Sequence, residues 1–569
     1  MKLKKNINNK ARQQIHLLSQ NAMRAYLSNQ ISVTDQCCRK ILALDACNPD
    51  ACNLLGKLAE KRGAFDKAKE SYMVGYQRHR NHSALIASLG LLHGKLGEHE
   101  SAAGYWQKFV KLNPRNPDGW QALAGEFSAL QQWEKADHST LQALKLAPER
   151  AALYANLGEI SLKLRRHQDA INYLRKYTEL CPNDAEGMYH LAKAVLDSGD
   201  LDEAFELFQQ TLTLNPEHID ALLMLLRFRK ATSYDDVIKR AESILGNPIA
   251  TPNQRAVLSF GLGKAWEDLN DFDRSFCHYA EGNRIRQEMT DFDIEFEQTN
   301  ADLTKKTFTA ELLSECHTNS SNGNEFLFIV GLPRCGSTLL AKILSAHTRV
   351  TDTGETDTLY DTIGVLTSGN CDHIQLQSIS GLSQTQLDSA ADQYRTMMQR
   401  FYGSSEIYVD KTLPNFWLIG FIRLMFPGAK IVHCTRNPID HCFSIFANDF
   451  EGSLLKYTNK LEDIAHYYQI YLDLAEHWRT TLPAENYHEI SYESLIAAPE
   501  EVSHSLLAFC NLEWDDACLN YHSSNSTVHT SSLAQVRQPI YNSSIERWKR
   551  YEKHLQPLID ALGDTAMPQ

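Results

Sequence analysis

A chain of 569 residues exceeds what one hydrophobic core holds together, so two or more domains are expected. Hydrophobic content of 43% and charged content of 22% are those of an ordinary globular protein. A net charge of -13 excludes a general nucleic-acid binder but leaves room for one local basic pocket. The 13 cysteines include no CxxC pair and no zinc-like spacing, which excludes a disulfide scaffold and gives no expected metal site.

The N-terminal stretch MKLKKNINNKARQQIHLLSQ is basic, and no long apolar run follows it. Neither a signal peptide nor a transmembrane span is read there, and reduced cysteines in a cytoplasmic protein are the expectation. Residues 1–48 read as a helical lead-in, with a degenerate repeat around 15–48.

Residues 49–230 read as a repeat array. Small residues recur every 34 positions: Gly56, Gly90, Ala124, Gly158 and Ala192. Leu55, Leu89, Leu123, Leu157 and Leu191 precede them, and Ala68, Ala102, Ala136, Ala170 and Ala204 follow twelve residues later. Paired helices explain the pattern. Small residues let two helices approach, and bulky ones such as Tyr72, Trp106, Leu174 and Phe208 fill the space between stacked units. Pro114, Pro148, Pro182 and Pro216 mark the junctions and suit the first turn of the following helix. The period and the small-residue columns resemble the tetratricopeptide repeat. That resemblance implies an α-helical solenoid that captures a protein or peptide partner, the acceptor of a reaction among them, or that dimerises.

Residues 231–323 read as a further helical pair at about 253–283 followed by a linker, HTNSSNG, at 317–323. From 324 to 560 the pattern becomes α/β. Phe326–Val330 is an apolar run suited to a buried parallel strand. Gly331-Leu-Pro-Arg-Cys-Gly-Ser-Thr338 is a loop, and an amphipathic helix starts at Thr338. A strand-to-helix loop gathers backbone N–H groups at a helix N-terminus, which suits an anion. Gly331 and Gly336 keep the Walker A glycine spacing, but Ser337 stands where its lysine is wanted, and Arg334 supplies the positive charge. No magnesium-binding carboxylate is evident at the end of a later apolar strand.

Five more places carry chemistry. Glu355 lies in the polar loop TDTGETDTLY, and Lys411 follows the apolar run Ile407-Tyr408-Val409. Arg436 ends the strand-like run Ala429–Thr435, and Ser444 follows eight residues later on a helix. Tyr492 lies in ISYESLIAAP, and Ser532 and Arg537 lie in SSLAQVRQPIYNSSIERW. His433, Cys434, His441 and Cys442 alternate, but no further ligand pair supports a metal site.

The segment PRCGSTLL, with these later motifs in the same order over about 324–550, resembles the sulfotransferases, the protein-tyrosine sulfotransferases in particular. The resemblance implies a P-loop-type α/β domain with a central parallel sheet. The implied donor is 3'-phosphoadenosine 5'-phosphosulfate, with no metal. Arg334, Cys335, Gly336, Ser337 and Thr338 would hold its 5'-phosphosulfate, with only a backbone N–H from Cys335 where the family has serine. Arg436 and Ser444 would hold the 3'-phosphate, and Tyr492 would pack against or touch the nucleotide. Ser532 and Arg537 would supply late phosphate contacts, although the family's lysine before the proline is Gln538 here. Glu355 would be the general base, with a pKa raised by burial, and Lys411 would stabilise the leaving phosphate. Asp357 stands where the tyrosine enzymes carry a basic residue, which disfavours acidic peptides as acceptors. The alternatives are a nucleoside-triphosphate kinase or hydrolase, and a repeat-based scaffold with an inactive nucleotide domain.

Overall fold

The structure is a computed structural model that describes residues 9–248, 250–314, 322–368, 374–450, 455–521 and 544–566. It divides into two units, Met1–Leu214 and Asn215–Gln569. Ser532 and Arg537 lie outside the described residues. Among those described, no helix is long and apolar enough to cross a membrane.

The first unit consists of paired short helices that resemble a tetratricopeptide solenoid. The five sequence units become Pro49–Lys61 with Phe65–Arg78, Ser83–Lys95 with His99–Leu112, Pro117–Ala129 with Trp133–Leu146, Ala151–Lys163 with His167–Leu180, and Ala185–Ser198 with Leu201–Leu214. A further pair, Asn9–Leu27 with Ile31–Leu44, precedes them. The repeating glycines are sites of close approach within a unit. A Cβ on Gly56 would lie 2.2 Å from Tyr72, one on Gly90 2.8 Å from Trp106, and one on Gly158 2.7 Å from Leu174. The bulky residues thus close onto the glycine of their own unit, besides filling space between units.

The junction prolines are placed differently from expectation. Pro114 lies in the turn after Leu112, three residues before the next helix starts at Pro117. Pro148, Pro182 and Pro216 occupy equivalent turns. They end helices, because a proline cannot supply the N–H that would continue one. Within the array the prolines that open helices are Pro49 and Pro117, behind the capping side chains of Asn48 and Asn116.

In the second unit a five-stranded parallel sheet has the order β2-β3-β1-β4-β5. The strands are β1 (Phe326–Val330), β2 (Val350–Gly354), β3 (Ile407–Asp410), β4 (Lys430–Thr435) and β5 (Tyr487–Ser491). β1 lies between β3 and β4 and is buried along its whole length, which explains its unbroken apolar run. Parallel pairing sets all five C-terminal ends on one edge, where open α/β sheets carry their ligands.

Helices Pro252–Asp268 and Phe272–Glu288 form the expected further pair. Gly263 takes the ring of Tyr279 at 2.5 Å from a would-be Cβ, the same close approach as in the array. This hairpin belongs to the second unit and shares its core. Phe308, just beyond the next helix, is fully buried against Phe421 and Trp478. Of the expected linker at 317–323, the described residues Asn322 and Gly323 are packed: Asn322 O accepts from Gly428 N at 2.7 Å, and Gly323 abuts Phe426.

Two glycine substitutions should act in opposite directions. Gly56→Ala forces a methyl into the Tyr72 ring and should destabilise the array by ~1–3 kcal/mol. Gly104→Ala, on an exposed helix surface with nothing within 4 Å, should stabilise it by ~0.5–1 kcal/mol. Urea unfolding midpoints check both, and a stabilising Gly56→Ala would contradict the close-approach account.

Candidate functional site

The loop that follows β1 has an unusual backbone. Gly331 (φ 151°), Arg334 (φ 73°) and Gly336 (φ 99°) all take positive φ. For Arg334 this is a strained conformation, which persists only where the surroundings enforce it. Gly336 caps the helix Ser337–Ser345, and a Cβ there would lie 2.5 Å from the Tyr492 ring. Tyr492 therefore forms the wall behind the loop. Cys335 and Ser337 are buried, and the Cys335 thiol lies against Gly331, 3.3 Å from a would-be Cβ there.

Arg436, directly after β4, holds this loop. Its Nη1 donates to Arg334 O at 3.0 Å and its Nη2 to Ser544 O at 2.7 Å. Its guanidinium lies 4.9 Å from the centre of the Tyr492 ring. Burial pulls its pKa below the ordinary arginine value, and its buried Nε has no hydrogen-bond partner among the described residues. The expected Arg436/Ser444 pair meets Arg334 here: Arg334 Nε points at Ser444 Oγ at 3.5 Å. Asn437 caps the helix Pro438–Phe446 that carries Ser444, accepting from Asp440 N at 3.1 Å.

Glu355 and Lys411, 56 residues apart, are joined because β2 and β3 are neighbours. Lys411 Nζ donates to Glu355 Oε1 at 2.5 Å. Thr412 stitches the two strand ends, donating to Thr356 O at 3.0 Å and accepting from Thr356 N at 2.8 Å. The expectation of a buried Glu355 is corrected: its side chain is 59% exposed, whereas that of Lys411 is 4% exposed. The residue sits on a turn beyond the sheet edge, and the lysine beneath it carries the burial.

A carboxylate at a strand end, not anticipated from the sequence, is present. Asp410 closes β3, and burial pushes its carboxyl above the usual range. Both oxygens are engaged: Oδ2 accepts from Tyr394 Oη at 2.8 Å and Oδ1 from Thr412 N at 2.9 Å.

Other supporting residues were missed because their partners are distant in sequence. Asp440 Oδ2 accepts from Glu546 N at 2.6 Å and its Oδ1 from Trp548 N at 2.9 Å. Glu493, beside Tyr492, accepts from Asn437 N at 2.9 Å. His441 Nε2 donates to Pro333 O at 3.0 Å, tying the loop to the helix after β4. His433 bonds Glu489 and Tyr487 on β5 and Tyr471 on the helix Leu461–Thr481. Among the described residues, no group of three or more His, Cys, Asp or Glu is placed to hold a metal ion.

Residues 327–516 match the model of the sulfotransferase family, and 122–185 and 173–219 match the tetratricopeptide repeat. The chain carries a sulfotransferase-family domain behind tetratricopeptide repeats. Among relatives, an uncharacterized protein of Aquifex aeolicus is 29% identical over 418 residues, covering 72% of this chain and 54% of its own. Protein-tyrosine sulfotransferase 1 of Danio rerio is 24% identical over 252 residues, covering 39% of this chain and 65% of its own. The chain spans about half the length of the first of these curated relatives and under two thirds of the second. Among solved structures, a crystal structure of MamA protein is 21% identical, covers 29% of this chain and 89% of its own, and has a TM-score of 0.28. In the sulfotransferase domain the family match takes in the loop, Glu355, Lys411, Arg436, Ser444 and Tyr492.

Buried His441 should make the domain acid-sensitive. Burial, with Arg436 nearby, lowers the His441 pKa from 6.5 to about 3. The unfolded chain binds this proton below pH 6.5 while the native one does not. Stability is therefore full above 6.5 and falls as pH drops towards 3, by at most ~1.4 kcal/mol per pH unit for one such group. Burial lowers His433 in the same direction. Denaturation curves at pH 7 and 5 should show the loss, and His441→Gln should make it shallower. An unchanged pH dependence in that variant would remove His441 as a source.

Proposed function

We propose that the domain transfers a sulfuryl group from 3'-phosphoadenosine 5'-phosphosulfate to an acceptor hydroxyl. The observation that carries this reading is Arg436. It is a buried guanidinium beside the loop whose two hydrogen-bond acceptors, among the described residues, are main-chain carbonyls. Asp440 and Glu493 act on it through space, but among the described residues neither accepts a hydrogen bond from it, and its buried Nε still calls for an acceptor, which an anion close by would supply. The phosphate group that distinguishes this donor from ATP, the 3'-phosphate, fits that demand, with Ser444 as a further donor. The loop Gly331–Thr338 acts in this reading as a phosphate cradle of P-loop type. Arg334, Ser337, Thr338 and the N–H groups of Cys335 and Gly336 receive the 5'-phosphosulfate. Tyr492 backs the loop, and Ser532 and Arg537 remain proposed late contacts.

In the reaction, the acceptor oxygen forms a bond to sulfur as the bond from sulfur to the 5'-phosphate oxygen breaks. Glu355 takes the acceptor proton, and Lys411 stabilises charge on the leaving phosphate. In the structure these two neutralise each other. Drawing Lys411 towards the phosphate frees the Glu355 carboxylate as a base, which couples donor binding to activation of the acceptor. No step requires a metal. Positioning and preorganised charge supply most of the catalysis.

A kinase or hydrolase reading has Asp410 in its favour, as a carboxylate at a strand end. Its two oxygens are already satisfied, however, and Ser337 replaces the Walker lysine. The repeat array is proposed to capture a protein or peptide partner, the acceptor being the simplest candidate. Asp357, exposed two residues from Glu355, favours a neutral or basic acceptor over an acidic one.

Calorimetry should show clear preference for 3'-phosphoadenosine 5'-phosphate over ADP. Equal weak binding, or preference for ADP, would sink the donor assignment. Glu355→Ala should abolish most turnover while changing nucleotide affinity little, and unchanged turnover would remove the residue as base. Asp357→Arg should raise the transfer rate to acidic hydroxyl-bearing peptides relative to basic ones in a labelled-donor assay. No change in that ratio would disconnect Asp357 from acceptor choice.

A further inference from the structure

The reaction described above makes no use of the hairpin formed by Pro252–Asp268 and Phe272–Glu288, yet its polar side chains reach both flanks of the helix that carries Ser444. At the far end of that helix, Asn283 Nδ2 donates to Phe446 O at 2.7 Å. Arg286 grips Asp449 with two bonds, Nε to Oδ1 at 2.9 Å and Nη2 to Oδ2 at 2.7 Å. At the near end the hairpin holds the chain segment that closes on Arg436. Arg547 Nε donates to Glu267 Oε1 at 2.6 Å, and its Nη2 donates to Oε2. Tyr279 Oη adds a bond to Glu267 Oε2 at 3.1 Å, and the Arg547 guanidinium lies 4.9 Å from the centre of the Phe443 ring. Four residues on, Tyr551 Oη shares a hydrogen bond with Ser275 Oγ at 2.8 Å.

The segment around Arg547 is a strained turn. Glu546 has φ 58°. A left-handed non-glycine residue persists only where its neighbours over-determine it. Here Asp440 takes the N–H groups of Glu546 and Trp548, and Glu267 takes the side chain between them. The product of this clamp is the position of Ser544 O, which receives Arg436 Nη2 at 2.7 Å. Burial works against a charged Glu267, but Arg547 holds its carboxyl below the usual range.

We propose that Glu267 is a positioning residue for nucleotide recognition: through Arg547 it fixes the turn at 544–548, which in turn aims the Arg436 guanidinium, so that selection of a 3'-phosphorylated nucleotide depends on the helical hairpin. This rests on the donor reading given above. The hairpin resembles one more repeat by sequence, but its side chains hold the helix Pro438–Phe446 and the segment around Arg547.

The test uses the full chain and two probes, 3'-phosphoadenosine 5'-phosphate and adenosine 5'-phosphate, by calorimetry. The wild type should prefer the first; if it does not, the donor reading fails, and the inference with it, whatever the variants do. In Glu267→Gln, affinity for the first probe should fall about tenfold or more while that for the second stays within about threefold, because only the 3'-phosphate contact is misaimed. Removing one member of a buried pair can unfold a protein, so the double variant Glu267→Met with Arg547→Met supplies a packed, uncharged replacement. It should unfold cooperatively near the wild-type midpoint and still lose the discrimination. Wild-type discrimination in either folded variant would reduce the pair to a stabiliser of the fold and overturn the proposal.

Discussion

A guanidinium taken out of water must find acceptors for its N–H groups, and the sulfotransferase domain is arranged around how Arg436 does so. Among the described residues, one acceptor is the carbonyl of Arg334 in the loop after β1 and the other the carbonyl of Ser544 near the C-terminus. Three parts of the chain separated by about a hundred residues each thus meet on one side chain. Their geometry is not independent: shifting the loop, the helix after β4 or the C-terminal turn strands a buried donor, which is costly in a medium that cannot solvate it. The strained residues Arg334 and Glu546 sit on either side of this junction, where over-determination is greatest.

The parallel sheet does for Glu355 and Lys411 what Arg436 does for the loop. Neighbouring parallel strands that end together deliver whatever follows them to the same place. The Glu355–Lys411 ion pair is therefore a consequence of register, reinforced by Thr412 across the two strand ends. The exposed carboxylate lies over a buried ammonium: the lysine is dry, and the glutamate is open to solvent.

Much of this was legible in the chain. The 34-residue period identified the helix pairs because close approach leaves no choice but a small residue at Gly56, Gly90 and Gly158. The apolar run Phe326–Val330 ahead of a glycine-spaced loop identified β1 and its turn, since a strand covered on both faces cannot alternate. Less legible were features that depend on exposure or on exact turn geometry. Glu355 proved exposed, and Pro114, Pro148, Pro182 and Pro216 end helices where they were expected to begin them. Asp410 went unrecognised because its significance lies in Tyr394 and Thr412, neither of which advertises a carboxylate partner in sequence.

The sequence by itself determined the local elements and the cast of charged residues, because periodicity, glycine spacing and strand-end position act over a few residues. Only the tertiary structure decided how those residues are held. Asp440 and Glu493 look like ordinary helix-start acids in the chain, yet one carries a strained turn about a hundred residues away and the other an N–H beside Arg436. The hairpin Pro252–Glu288 likewise follows the pattern of the array but belongs to the unit that contains the sheet. The reason is the pairing of buried charge. Glu267 needs Arg547, and Arg286 needs Asp449, and such demands are met by whichever partner the fold brings near, which no local pattern records.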